Sequence, residues 1–229
     1  MWRPLSMSSC RCVAKPGVSS ASKMPIACAR SSRNAVSRSR TRRPGRPGPC
    51  SRRTERRMKT VELRRHTASD GDRLTPEGIQ AAVEIGSRFV EPYDLLISSG
   101  AQRATQTLAC FLAGSGKRSP GGVTVDEGFR STMEERWFSV ARQSGSRDIG
   151  AFQKADSALV EEEAKRFGGA LRRVFETLND GRRALIVGHS PMHEAAVYGL
   201  TGQVIAPISK GSGVRIVQDG RDFRIEPLT

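Results

Sequence analysis

The sequence predicts an α/β fold, a single three-layer α/β/α domain with a mostly parallel central sheet, preceded by a disordered basic extension. Two observations support this prediction. Short apolar runs alternate with longer segments of helical period after residue 57. By contrast, residues 1–57 hold 15 of the 38 Lys and Arg residues, one of the 23 acidic residues, and no periodic apolar pattern. We therefore assign residues 1–57 to the extension and residues 58–229 to the domain.

The extension is rich in arginine, serine and proline, and its few large apolar side chains are scattered. Such a segment cannot bury enough apolar area to offset the cost of ordering its backbone, so we expect it to be disordered. Its composition fits an organelle transit peptide and also a nucleic-acid-binding arm. A third interpretation is that translation begins at Met58, directly before the first predicted strand.

The domain itself is close to neutral, because the extension carries most of the formal net charge of +15. We therefore expect no nucleic-acid partner except through the extension. Cys110 is the only one of the five cysteines in the domain, which excludes a disulfide framework there and indicates a reducing, cytoplasmic location. No apolar run approaches the roughly 20 residues needed to span a bilayer, so no membrane is expected as a partner.

The first two elements are a strand and a helix. Alternating apolar residues predict a strand over residues 60–65, which ends just before His66. A helix follows, because Thr75 is a good N-cap and is followed by a proline and an acid in the first helical turn. Gly86 falls on the apolar stripe of this helix and would allow close packing on the sheet. The other residues of the stripe are Ile79, Ala82, Val83, Phe89 and Val90.

The next three elements repeat this alternation. Residues 94–98 form a short apolar run, typical of a strand that is covered on both faces. A second helix follows, and its apolar stripe consists of Ala101, Ala104, Leu108, Phe111 and Leu112. Residues 123–125 are the third strand candidate.

The last part of the chain contains one long helix and the most apolar strand. The inner face of this amphipathic helix is predicted to consist of Val160, Ala164, Phe167, Leu171, Val174 and Leu178. Residues 184–187 are the most apolar strand, and Ser190 and Pro191 can begin another helix after it. Two further strand candidates, 214–217 and 223–225, follow.

Polar residues follow three of the predicted strands. They lie at 65–67, 98–103 and 188–190. In a parallel sheet, ligands bind beyond the carboxyl ends of the strands, so these segments are expected to converge. Together they offer two histidines, two arginines and helix N-termini, which suits a phosphate group.

The order of these motifs resembles the histidine phosphatase (phosphoglycerate mutase-like) superfamily. The motifs are Arg-His-Thr at 65–67, Leu-Thr-Pro-Glu-Gly at 74–78, Ser-Ser-Gly-Ala-Gln-Arg-Ala-Thr-Gln-Thr at 98–107 and Gly-His-Ser at 188–190. The stretch after the first motif is short and lacks the features of the mutases. The sequence is therefore most similar to the short phosphohistidine-phosphatase-like members.

The resemblance implies a role for each residue around the phosphate. His66 falls on the nucleophile, which attacks phosphorus to give a phosphohistidine that water then hydrolyses. Arg65 and Arg103 fall on the phosphate clamps, since two guanidinium groups can bind the equatorial oxygens. His189 falls on the second histidine, a donor to the same phosphate. Thr67 stands where the superfamily usually has glycine, so its side chain is expected close to the phosphate.

The resemblance also implies a general acid for the leaving oxygen. In the superfamily this acid often follows the third strand, which indicates Glu127, with Glu134 and Glu135 as rivals.

His189 and His193 are four residues apart and could in principle join His66 as zinc ligands. We expect no metal, because the pair lacks the glutamate of a zincin helix and nearby arginines would repel a cation.

These features predict a metal-independent phosphatase without a cofactor, acting on a phosphomonoester or a phosphohistidine. Its partner would be a phosphorylated small molecule or a phosphoprotein. Two alternatives stay open: a phosphoglycerate mutase-like phosphotransferase, and a catalytically weak module that binds phosphate or phosphoprotein.

His193 is expected to line the pocket or to lie on its helix surface. The pocket walls are expected from residues 128–157, through Met133, Trp137, Phe138, Arg142, Arg147 and Phe152.

Overall fold

A computed structural model describes residues 58–229 of the chain. The predicted disorder of residues 1–57 lies outside the described residues. In chain order the elements are β1 (Lys59–Arg65), β2 (Ser69–Asp70), β3 (Arg73–Leu74), α1 (Pro76–Ser87), β4 (Leu95–Ser98), α2 (Gln102–Ser115), β5 (Val123–Val125), a 3-10 helix (Glu127–Phe129), α3 (Glu134–Ser144), α4 (Ile149–Ala155), α5 (Ser157–Thr177), β6 (Arg183–Gly188), α6 (Met192–Thr201), β7 (Gly213–Asp219) and β8 (Asp222–Leu228).

The centre of the fold is a six-stranded sheet with the order β5-β4-β6-β1-β7-β8. The neighbours among β5, β4, β6 and β1 pair in parallel, whereas β7 and β8 are antiparallel. The short strands β2 and β3 form a separate hairpin. The prediction of a mostly parallel sheet in an α/β fold is therefore confirmed.

Each face of the sheet carries its own layer of helices. On one face, α1 and α2 pack against Leu96, Leu185 and Val187. On the other face, α5 and α6 share a hydrophobic cluster with inward residues of four strands, and α4 packs on α5 and α3 on α4. The strand residues of this cluster are Val61, Leu63, Ile97, Ala184, Ile186, Val214 and Ile216. Consecutive strand residues thus point their side chains into opposite helix layers, because side chains alternate between the two faces of a strand.

The register of the parallel strands brings three strand ends to one edge of the sheet. Arg65 at the end of β1 pairs with Gly188 at the end of β6. Ser98 at the end of β4 pairs with Val187 of β6. The segments that follow these strands therefore begin side by side, although they are far apart in the sequence.

The inner face of α1 differs from the prediction. Ala82 is buried, as expected, but Ile79, Val83 and Val90 are exposed, and the helix ends at Ser87. The reason is that α1 contacts α2 at backbone distance. A Cβ atom on Gly86 would lie 2.3 Å from the carbonyl oxygen of Phe111. Gly86 thus permits close packing on α2 and not on the sheet, and small residues form the buried face.

The long helix α5 matches its prediction closely. All six predicted inward residues, Val160, Ala164, Phe167, Leu171, Val174 and Leu178, are buried. Its partner is α6, and the two helices meet at glycines. A Cβ atom on Gly199 would lie 1.8 Å from the carbonyl oxygen of Ala164, and one on Gly168 would lie 2.5 Å from the carbonyl carbon of Gly199.

Helices α3 and α4 were not predicted from the sequence, although the N-cap of α4 is recognisable in retrospect. Asp148 accepts hydrogen bonds from the backbone N–H groups of Gly150 and Ala151 at the start of α4.

Cys110 is a free thiol. Within the part of the chain that the structure describes, no helix is long and apolar enough to cross a membrane.

Candidate active site

A cavity of about 480 Å³ lies at the carboxyl ends of the parallel strands, within the size range of small-molecule sites. Four of the predicted site residues line it: Arg65, His66, Arg103 and His189. They come from the last residue of β1 and from the segments after β1, β4 and β6. The structure therefore brings together side chains from all three predicted polar clusters.

The ring of His66 is held in one orientation and one tautomer. Its Nδ1 atom lies 2.8 Å from the carbonyl oxygen of Thr67. A carbonyl oxygen can only accept, so Nδ1 carries the proton and donates it. The Nε2 atom is then the unprotonated nitrogen, with its lone pair available. The backbone N–H of His66 also donates to the carbonyl oxygen of Gly188, at 3.0 Å, which fixes the residue against β6.

The surroundings of His66 keep its ring neutral. Burial, together with the nearby cations Arg103, Arg65 and Lys210, lowers its pKa to about 4. The hydrogen bond to the Thr67 carbonyl opposes this shift but does not overcome it. At pH 7 the imidazole is therefore the neutral form, which is the form that can act as a nucleophile.

His189 lies beside His66, with the two ring centroids 5.2 Å apart. Its Nε2 atom is 2.9 Å from the hydroxyl oxygen of Ser99. Its Nδ1 atom is buried and has no hydrogen-bond partner among the described residues. Burial, and then the charge of Arg103, hold the pKa of His189 well below its usual range. A neutral His189 can accept a hydrogen bond from Ser99 at Nε2 and offer Nδ1–H to a group in the cavity.

The segment before β7 holds the Arg65 side chain in place. Its Nη1 atom donates to the carbonyl oxygen of Ile208 at 2.9 Å, while its buried Nε atom has no protein partner within residues 58–229. Burial, and then Arg147 and Arg103, lower the pKa of Arg65, whereas Glu194 raises it. The guanidinium group is thus oriented by one hydrogen bond, and the rest of its donors stay uncommitted.

Glu194, on α6, binds the same segment. This residue was not identified from the sequence. It is 1% exposed. One carboxylate oxygen accepts hydrogen bonds from the hydroxyl of Ser190 and from the backbone N–H of Ile208, the latter at 2.7 Å. Burial raises the pKa of Glu194. This carboxylate connects the turn after His189 to the segment that holds Arg65. In the sequence, the only sign of this role is that Glu194 is an acid among the apolar residues of α6.

Arg103 is held by an acid from the β2–β3 turn. Its Nη1 atom lies 3.1 Å from the Oδ1 atom of Asp72. The same carboxylate accepts from the backbone N–H groups of Gln102 and Arg103, at 3.1 and 3.3 Å. These are the first N–H groups of α2, which the sequence analysis expected to face a phosphate. In this structure Asp72 caps them, so the guanidinium group is the part of α2 that faces the cavity.

The sequence pattern of the histidine phosphatase superfamily (branch 1) matches residues 53–212. The chain belongs to this superfamily. No curated protein sequence matches the chain. The predicted resemblance, which rested on four short motifs, is therefore confirmed.

Solved structures show the same fold. A phosphoglycerate mutase from Bacillus anthracis str. Sterne is 16% identical, covers 77% of this chain and 95% of its own, and has a TM-score of 0.58. A phosphoserine phosphatase from Entamoeba histolytica is 17% identical, with 75% and 97% covered and a TM-score of 0.59. An alpha-ribazole phosphatase from Shigella flexneri is 15% identical, with 74% and 95% covered and a TM-score of 0.53.

Thr67 differs in position from what the superfamily resemblance implied. Its side chain does not line the cavity. It is 2% exposed, and its backbone N–H and hydroxyl lie 3.3 and 3.4 Å from the hydroxyl oxygen of Thr107 on α2. The methyl group points toward Gly211. The residue therefore leaves the cavity open, and its contribution to the site is the carbonyl oxygen that binds His66.

The three carboxylates considered as general acids lie in different places. Glu127 is exposed on the 3-10 helix, near Gly100, and does not line the cavity. Glu135 is also exposed and does not line the cavity. Glu134, at the start of α3, lines the cavity with a side chain that is 32% exposed, 3.8 Å from Arg130. The structure thus places Glu134 in the same cavity as His66 and His189, whereas Glu127 does not line it.

His193 neither lines the cavity nor lies on the helix surface, so that expectation is corrected. It is fully buried, with its Nε2 atom donating to the carbonyl oxygen of Arg64 at 3.0 Å. Burial lowers its pKa to about 4. Its position under Gly188 supports the end of β6, where a Cβ atom would lie 2.9 Å from the ring of His193. Among residues 58–229, no three His, Cys, Asp or Glu side chains lie close enough together to hold a metal ion.

The wall of the cavity comes from the predicted region. Trp137, Phe138, Arg147 and Phe152 line it. Of the other two predicted wall residues, Met133 packs against the core and Arg142 lines an adjoining surface pocket. The lining residues of this wall belong to α3, to α4 and to the loop between them.

Proposed function

We propose that the chain is a phosphatase that hydrolyses a phosphomonoester or a phosphohistidine through a covalent phosphohistidine on His66, without a metal ion. One observation carries the proposal. The Nδ1–H of His66 is held by a carbonyl oxygen and burial keeps the ring neutral, so that Nε2 presents a lone pair to a cavity that also contains Arg65 and Arg103. A fixed neutral nucleophile beside two cations is the arrangement that phosphoryl transfer requires.

In the first step, the Nε2 lone pair of His66 attacks phosphorus while the bond from phosphorus to the leaving oxygen breaks. The bonding electrons move to the leaving oxygen. The guanidinium groups of Arg65 and Arg103 bind the equatorial oxygens, whose charge they offset. His189 accepts a hydrogen bond from the Ser99 hydroxyl at Nε2 and donates its Nδ1–H to one of these oxygens. Arg103 retains enough donors for this task beside its contact with Asp72.

We assign the proton transfers to Glu134. It lines the cavity, whereas Glu127 does not, and this difference supports Glu134 over the acid that the superfamily resemblance indicated. Glu134 gives a proton to the leaving oxygen, and the resulting carboxylate then accepts a proton from water. That water attacks phosphorus, the phosphorus–nitrogen bond breaks, and the electron pair returns to Nε2 of His66.

The test of the nucleophile is hydrolysis of p-nitrophenyl phosphate by the full chain in excess chelator, for the wild type and for His66→Ala. We expect the substitution to lower kcat by at least about a thousandfold, because covalent catalysis is lost. Acid-quenched wild-type enzyme should carry one acid-labile phosphate on His66, detectable by mass spectrometry. Turnover that survives in His66→Ala would overturn the proposal. Transfer of the phosphate to an added alcohol in preference to water would indicate a phosphotransferase instead.

The test of the acid compares Glu134→Gln with Glu127→Gln, using Glu135→Gln as a matched control on the exposed side of α3. With an alkyl phosphate, whose leaving alkoxide needs a proton, Glu134→Gln should lower kcat/KM by about a hundredfold or more. With p-nitrophenyl phosphate the loss should be much smaller, because nitrophenolate leaves without a proton. The same selective loss in Glu127→Gln, with Glu134→Gln unaffected, would assign the acid to Glu127.

A further inference from the structure

We infer that the substrate is a small phosphomonoester whose leaving group carries an apolar ring and, at its far end, a second anionic group. This inference rests on the proposed function and names the substrate class of the same site. It comes from the composition of the cavity. Two histidines and two arginines line it together with three aromatic side chains and a further arginine.

The apolar part of the wall contains an exposed ring. Phe138 lines the cavity and is 56% exposed. Among the large hydrophobic side chains that are exposed within residues 58–229, it is the only aromatic one. Its neighbour Trp137 is buried and packs on Phe152, with ring centroids 5.7 Å apart. The fold thus does not need the ring of Phe138 for its core, and the ring faces the space that a leaving group would occupy.

The order of residues along α3 gives the leaving group a direction. Glu134, Phe138 and Ala141 are spaced by four and three residues, and all three line the cavity. Positions at this spacing share one face of a helix. The face extends about 10 Å from Glu134 to Ala141, at about 1.5 Å per residue. An oxygen that receives a proton from Glu134 would therefore be followed, along the same face, by room for one ring.

The far end of this face carries an uncommitted cation. Arg147 lies beyond the end of α3 and lines both the cavity and the adjoining surface pocket. It has no hydrogen bond or ion pair with another residue in the described part of the chain, whereas Arg136 on the same helix is bound to Asp156. Its charge reaches Arg65, whose pKa it lowers. An anionic group at the end of the ring would lie against Arg147.

The ring is tested with two alkyl phosphates of similar leaving-group chemistry, 2-phenylethyl phosphate and propyl phosphate. For the wild type we expect kcat/KM to be about tenfold higher for the phenyl compound, since a ring packed on a ring is worth about this factor. In Phe138→Ala the ratio should fall toward one. Val90→Ala, which truncates another exposed apolar residue far from the cavity, is the matched control and should keep the ratio.

The second anionic group is tested by adding a para carboxylate to the ring of 2-phenylethyl phosphate. The carboxylate should raise kcat/KM about fivefold in the wild type, and added salt should reduce this gain. The gain should disappear in Arg147→Gln. It should persist in Arg142→Gln, because Arg142 lines only the adjoining surface pocket.

The outcomes separate this inference from the proposed function. If both alkyl phosphates are hydrolysed equally well in a His66-dependent manner, the function stands and the ring is overturned. If the carboxylate gives no gain in the wild type, or the gain survives in Arg147→Gln, the second anionic group is overturned. If a phosphohistidine-bearing protein is hydrolysed far better than any of these compounds, the small-molecule substrate is overturned. Turnover that does not depend on His66 overturns the function itself.

Discussion

Glu194 is the residue whose effect on the site is least visible in the sequence. Its carboxylate binds the backbone N–H of Ile208, and the carbonyl oxygen of Ile208 binds Arg65. We expect Glu194→Ala to lower kcat/KM about tenfold or more, because Arg65 loses its orientation. The inhibition constant of inorganic phosphate, measured as a competitive inhibitor, should rise by a similar factor. Steady-state kinetics and phosphate inhibition measure both effects.

The conservative variant Glu194→Gln separates positioning from folding. Its amide oxygen can accept the same two hydrogen bonds, so it should restore most of the activity that Glu194→Ala loses. If both variants lose phosphate affinity equally while their melting temperatures match the wild type, Glu194 acts through its charge on Arg65 and not through the Ile208 connection. If neither changes phosphate affinity, the positioning role is wrong.

At the scale of elements, the contact between α5 and α6 depends on glycines that allow backbone approach. A Cβ atom on Gly168 would lie 2.5 Å from the carbonyl carbon of Gly199, and backbone atoms cannot move aside cheaply. We expect Gly168→Ala to lower the free energy of unfolding by roughly 2 kcal/mol or more, through overpacking. Denaturant titration of the full chain would measure this change.

Gly169, the next residue on α5, is the matched control. The nearest atom to a Cβ there is the Nη1 atom of Arg173, at 3.8 Å, which is ordinary contact. Gly169→Ala should therefore be neutral or stabilising by up to about 1 kcal/mol, since alanine favours a helix. Equal destabilisation by both substitutions would show that helix packing is not the cause.

At the scale of the whole molecule, the histidines make folding sensitive to pH. The chain has three, His66, His189 and His193, and all have a lowered pKa in the folded state, about 4 for His66 and His193. Between their folded values and the unfolded value near 6.5, the unfolded chain binds more protons, so stability falls as pH falls. We expect a loss of roughly 2 kcal/mol per histidine between pH 7 and pH 5.

Denaturant titrations at pH 7, 6 and 5 measure this loss, and His193→Gln is the informative variant. His193 lies outside the cavity, so the substitution removes one titrating group from the core. The variant should be less stable at pH 7 but should lose less stability on acidification than the wild type. An unchanged slope against pH would show that His193 is not among the groups responsible.

The strand and helix periods of this chain determined most of its fold before tertiary contacts were considered. The alternation around Val61 and the stripe on α5 both depend on local spacing, and the structure has them as predicted. The inner face of α1 could not be predicted, because it depends on how close α2 comes. At Gly86 that distance allows no side chain, and the buried face consists of small residues while Ile79 is exposed.

The same division holds for the candidate site. Arg65, His66, Arg103 and His189 were found from the sequence because each follows a strand end, and parallel strands bring their carboxyl ends to one edge. The position of Glu134 in the cavity, the burial of Thr67 against Thr107, and the contacts of Asp72 and Glu194 depended on the tertiary structure. Sequence determines which residues occupy a strand end, whereas the direction in which a loop or helix presents its side chains is decided by packing against elements far away in the chain.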